Sequence, residues 1–122
     1  MNEDQILCAC SAYEQKYYFN PRYASLPKAV QEDLQIMAVT LTEDVGGVFT
    51  MEFDEDGTLY MSTTAKENDF AYDEIGSHLK IKQYRGRYAE LLENLETYYR
   101  WMILQDEEAR AAALEEKNDT GN

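Results

Sequence analysis

Two short runs, VFTMEF at 48–53 and LYMSTT at 59–64, flank the acidic segment DEDGT at 54–58. No other feature constrains the fold as much. Phe49, Met51 and Phe53 alternate with Val48, Thr50 and Glu52, and Leu59, Met61 and Thr63 alternate with Tyr60 and Ser62. Period two puts each set on one face of a strand. Two such runs around a short polar segment ending in glycine predict a β-hairpin. An isolated hairpin is marginally stable in water, so this one must pack on helices or pair with a second copy.

The acidic tip also imitates a calcium loop. Counted from Glu52, the residues Asp54 and Asp56 fall on alternate ligand positions and Gly57 on the sharp bend. Thr63 stands where a bidentate glutamate should close the coordination sphere, and the flanks have strand period rather than helix period. A turn is therefore expected, with aspartate favouring turn geometry and Gly57 supplying positive φ. No metal or other cofactor is expected.

Ahead of the hairpin the spacing becomes helical. Ile6, Cys10, Tyr13 and Tyr17 predict a helix over about 3–18, capped by Asn2 and Gln5 and ended by Asn20-Pro21. A second helix is expected from Pro27, with Val30, Leu34, Met37 and Leu41 as its stripe and Gly46-Gly47 as its stop. After the hairpin, Ile75, Leu79, Tyr84, Tyr88, Leu91, Leu95, Tyr98 and Met102 approximate one stripe of a long helix over 71–104. The piece LKIKQY at 79–84 also alternates, which leaves a third strand as the alternative there. An unbroken helix of that length would run about 50 Å at ~1.5 Å per residue, far more than a domain radius of ~13 Å. It is expected to bend near Gly76 or Gly86, or to project toward a partner. The fold class expected is thus α+β: two N-terminal helices, a β-hairpin, then a long C-terminal helix. Residues 1–104 form the domain, and 105–122 a polar acidic helical extension with a disordered end.

The 122 residues suit one domain, and an apolar fraction of 44% supports a core. Net charge is −13, unevenly spread: residues 1–70 hold 4 basic and 13 acidic groups, whereas 71–104 hold 5 of each. Such a chain is repelled by phosphate backbones and anionic lipid, so nucleic acid and membrane are not expected partners. The start MNEDQ lacks the basic and apolar character of a secretory signal, and no stretch reaches membrane-span length. On a helix Cys8 and Cys10 would point about 200° apart and not pair, which suits a reducing cytoplasm.

Local motifs for chemistry are sparse. His78, the single histidine, would share a helix face with Glu74, which makes a surface contact rather than a metal site. Lys80, Lys82, Arg85 and Arg87 place four of the 11 basic side chains within eight positions. With His78 they form a basic strip that either offsets the protein's own acids or holds a phosphate or an acidic partner segment. Tyr98-Tyr99, beside Trp101, and Tyr17-Tyr18 suit wet core edges or interfaces. The leading expectation is a non-enzymatic cytoplasmic interaction or structural protein that self-associates, with a homodimer preferred over a monomer and an unidentified protein partner. The alternative is a small-ligand or phosphate-binding regulatory domain using the basic strip at 78–87. A third is an enzyme using carboxylates such as Glu43, Asp44 or Glu74.

The blocks AYEQKYY, TEDVGG and DEIGSHLKIKQ, within a span of about residues 5–104, resemble a family of small acidic proteins from clostridia-type Firmicutes whose function is unknown. The resemblance implies a bacterial, cytoplasmic protein and assigns no catalytic residues.

Overall fold

A computed structural model describes residues 3–120. The chain runs β1 (Ile6–Ser11), β2 (Lys16–Phe19), α1 (Lys28–Val45), β3 (Val48–Phe53), β4 (Leu59–Thr64), α2 (Glu74–Arg87) and α3 (Ala89–Thr120). Short 3-10 turns occupy Glu3–Gln5 and Pro21–Tyr23. The strands form one antiparallel sheet in the order β2-β1-β3-β4.

This corrects the expected fold in two places. The first predicted helix is a second hairpin, so the chain begins with strands and not with two helices. Ile6, Cys10, Tyr13 and Tyr17 have helical spacing by coincidence. What decides their state is pairing: β1 lies beside β3, with Cys10 opposite Phe49 and Cys8 opposite Met51. Burial against a neighbouring strand outweighs local periodicity. The two cysteines consequently share the buried face instead of diverging, and both are free thiols. Asn2, assigned above as a cap, lies outside the described residues. Asn20 still acts as a stop, because its side chain accepts from Arg22 N–H and donates to the Ile6 carbonyl.

The second correction is at Tyr88. The long helix divides there, with φ −108° and ψ 23°, rather than bending at Gly76 or Gly86. Residues 79–84 are helix within α2. Tyr84 and Tyr88 meet edge-to-face, 5.6 Å between ring centroids, at the break. Beyond the break α3 contributes Leu92, Leu95 and Tyr99 to the core.

The inner face of the sheet is built in rows that cross the strands. Tyr17, Cys10, Phe49 and Thr63 form one row, and Phe19, Cys8, Met51 and Met61 the next. Leu34, Met37, Ala38, Leu41 and Val45 of α1 pack in the same core. At one end Phe53 stacks on Tyr99 at 4.2 Å, with Tyr23 tilted against it at 5.7 Å. Removing large side chains from water in this way supplies the main stabilising term, about 1.5–3 kcal/mol for each fully buried one.

The acidic segment is a turn. Asp54 Oδ1 accepts from the N–H groups of Asp56 and Thr58, and Gly57 has φ +85°. Its carboxylate is thereby used to close the hairpin. At Gly47, φ is +74° and a Cβ would lie 2.5 Å from the Thr64 carbonyl, so only glycine lets α1 turn directly into β3.

Candidate functional site

The rotation of α2 about its axis determines what the surface offers. Asp73 caps the helix by accepting from Gly76 N–H at 2.8 Å. One turn later Ser77 is buried, and its hydroxyl donates to the Glu74 carbonyl and meets Tyr72 Oη and Thr63 Oγ1. Two turns beyond, Tyr84 Oη donates to the Met37 carbonyl of α1 at 3.0 Å. With Ser77 and Tyr84 facing inward, Ile75 and Leu79 must face outward; they are 76% and 56% exposed. Phe70, in the loop before the helix, is 94% exposed.

The basic strip divides around this ridge. Lys80 Nζ lies 2.9 Å from Asp44 Oδ2 and ties α2 to α1. That hydrogen bond raises the Lys80 pKa and holds it as a cation. Arg87 sits over the Tyr88 ring at 5.5 Å. His78, Lys82 and Arg85 share the other flank of the helix and are exposed; among the described residues none of the three forms an ion pair. His78 and Glu74 border a shallow depression of about 590 Å³ with Asp69, Phe70 and Tyr72. Of the tyrosine pair on α3, Tyr99 belongs to the core and Tyr98 is half-buried, its hydroxyl bonded to that of Ser25. Of the carboxylates considered above, Asp44 is engaged by Lys80 and Glu43 borders a cleft beside β2. Among the described residues no three His, Cys, Asp or Glu side chains gather as a metal site, and no helix is long and apolar enough to cross a membrane.

A second region is the pair of sheet edges. Asp54 N–H donates to the Thr58 carbonyl, which sets the phase of the β3–β4 ladder and turns the Leu59 N–H outward. Glu96 of α3 takes that donor at 2.8 Å. Arg100 Nε also donates to the Asp56 carbonyl at 3.1 Å, so α3 grips the hairpin tip. At the other edge, Asn20 N–H donates to the Leu7 carbonyl. By the same alternation Tyr18 and Lys16 face β1, whereas Tyr17 and Phe19 turn their N–H and C=O groups to the open side. Among the described residues no side chain bonds to those outward groups.

Two hollows flank β2. A cleft of about 630 Å³ separates it from α1 and is lined by Lys16, Tyr17, Gln35, Val39 and Glu43. A wider groove of about 860 Å³ lies over the outer face, with Tyr18, Val48 and Lys66 among its walls. Beneath β2 the Tyr17 hydroxyl is buried beside the Cys8 thiol, with no oxygen or nitrogen partner among the described residues. Burial, and then the neighbouring Cys8, push its pKa upward. Burial likewise pushes the Cys8 thiol up to about 12, so both groups stay neutral.

Sequence periodicity placed Ile75 and Leu79 in the core stripe and therefore missed the ridge. The available signal was Asp73, whose capping fixes where the helix starts. It also missed the open edge, although KYYF is rich in aromatic residues that favour strands.

A family model described as "Family of unknown function (DUF6145)" matches residues 4–108. The chain belongs to the DUF6145 family. The DUF6145 match includes the ridge, the basic strip and both sheet edges, and it stops within α3. Comparisons with curated proteins and with solved structures give no match.

Proposed function

We propose that this protein is a non-enzymatic interaction protein, self-associating and working in a bacterial cytoplasm. The outward ridge of α2 carries this reading. A helix that faces Ile75 and Leu79 to water, next to an almost fully exposed Phe70, leaves apolar area uncovered where a monomer would normally place polar side chains. His78, Lys82 and Arg85 line one side of that ridge. Apolar anchors with a cationic flank fit an acidic partner segment better than a flat neutral one. The test is affinity capture of the tagged protein from related clostridial cells, comparing wild type with an Ile75→Ser, Leu79→Ser double variant. Both substitutions lie outside the core. A stoichiometric protein captured by wild type and lost by the variant is expected. Equal capture by both forms would contradict the assignment to the ridge.

A second reading, an anion-binding regulatory domain, draws support from the same exposed trio of His78, Lys82 and Arg85. It predicts a bound phosphate-bearing metabolite that is lost on Lys82→Ala, Arg85→Ala and indifferent to the ridge.

A further inference from the structure

We propose that self-association occurs through the open edge of β2, in a two-fold antiparallel pairing of two copies centred on Tyr18. The proposal rests on the self-association reading above and adds the surface that performs it. Its first support is register. The outward-facing residues of β2 are Tyr17 and Phe19, one on each side of Tyr18. If a second copy approaches antiparallel with Tyr18 opposite Tyr18, then Tyr17 of each copy faces Phe19 of the other. Those are the residues with unpaired N–H and C=O groups, so each pair exchanges reciprocal N–H···O bonds, as hydrogen-bonded antiparallel pairs do. A strand whose free groups are symmetric about one residue is complementary to itself, which an isologous interface demands.

The second support is side-chain placement. On the inner face Phe19 of the second copy would sit beside Tyr17, over the cleft walled by Gln35 and Val39. Both aromatic residues are only partly buried in the single chain and pack against its core. Ile36, one turn before Val39 of the cleft wall on α1, is 61% exposed. On the outer face, Tyr18 is 49% exposed and would meet Tyr18 of the second copy on the axis.

The third support is charge. A chain of net charge −13 repels itself over most of its surface, yet QKYYFN at 15–20 holds one lysine and no acid. Lys16 and Glu43 of one chain line the same cleft, and in this register Lys16 falls opposite the uncharged Asn20 of the second copy, so no like charges meet along the paired strands. Lysine on an edge strand normally deters open-ended pairing. At the opposite edge Glu96 of α3 takes the Leu59 N–H, a contact that the β2 edge lacks among the described residues.

Cysteine cross-linking tests the proposal. In a non-hydrogen-bonded antiparallel pair the Cα atoms lie about 4.5 Å apart, within the ~4.4–6.8 Å span of a disulfide. Tyr18→Cys should therefore form a disulfide-linked dimer on mild oxidation. Tyr60→Cys, similarly exposed on the opposite edge strand, should not. Tyr18→Glu places like charges on the axis and should sediment as a monomer with an unchanged circular dichroism spectrum. Mixing it with Tyr18→Lys should restore a mixed dimer. A wild-type dimer that resists Tyr18→Glu and shows no Tyr18→Cys cross-link would overturn this interface and leave self-association through another surface standing. A wild type that stays monomeric to near-millimolar concentration, with no cross-link, would overturn both.

Discussion

The two edges of the sheet are finished differently. At β4 the chain engages the hairpin end of its own edge: α3 supplies the Glu96 carboxylate to the Leu59 N–H, stacks Tyr99 on Phe53 and sends Arg100 to the hairpin tip. At β2 the backbone groups of Tyr17 and Phe19 face outward, with clefts on both sides. An unpaired edge is a template for another strand, and proteins generally blunt one. The lesson of the contrast is that α3 ties one edge into the fold at Leu59, whereas the other edge has no such tie among the described residues, which is where the proposed pairing is placed. Four perturbations act on the two edges unequally.

The largest effect is expected at the closed edge. Tyr99→Ala removes the ring that packs on Phe53 and Tyr23, and should cost about 3–5 kcal/mol in a urea titration. A loss below ~1 kcal/mol would show that α3 does not hold this end of the sheet.

Next comes alkaline pH, which acts beneath the open edge. The Cys8 thiol rises from 9.0 in an unstructured chain to about 12 when folded. An acid whose folded pKa is raised favours folding fully below its unfolded pKa and loses that contribution as pH climbs through the folded value. The urea midpoint should therefore fall between pH 9 and pH 12, and Cys8→Ala should flatten the decline. An unflattened profile in that variant would assign the effect to other groups.

Glu96→Ala should be smaller. It leaves the Leu59 N–H without its acceptor at a part-buried position, a loss of about 1–3 kcal/mol, and Glu96→Gln should recover part of it. Amide exchange at Leu59 should quicken in the alanine variant alone. Tyr18→Ala, at the open edge, should change the stability of the single chain by less than about 0.5 kcal/mol while weakening association. The opposite ranking of Tyr99 and Tyr18 in stability and in association is the signature of the contrast.

The sequence carried much of the closed side and little of the open one. VFTMEF and LYMSTT alternate cleanly because each has one face on the core and one toward water, and Gly57 marked their turn. The stripe Val30, Leu34, Met37 and Leu41 located α1 for the same reason. ILCACS and KYYF gave no such alternation. Leu7 and Cys8 are adjacent and both buried, beside a register shift in the pairing of β1 with β3. A bulge of that kind erases period two and leaves a spacing that mimics a helix. The break at Tyr88 was equally hidden, because Tyr84, Tyr88, Leu91 and Leu95 follow one another at helical spacing and mark no boundary in the sequence. Lys80, Lys82, Arg85 and Arg87 were visible as a cluster. That Asp44 engages Lys80 while His78, Lys82 and Arg85 stay on the surface depends on contacts between helices distant in sequence.

The most direct test of the two-edge account is amide hydrogen exchange, resolved by residue, at several protein concentrations. The account predicts that protection of Tyr17 and Phe19 rises with concentration while that of Leu59 stays constant, because one edge is covered by a second copy and the other by Glu96. Exchange at Tyr17 and Phe19 that is fast and independent of concentration, in a protein that nonetheless self-associates, would contradict it.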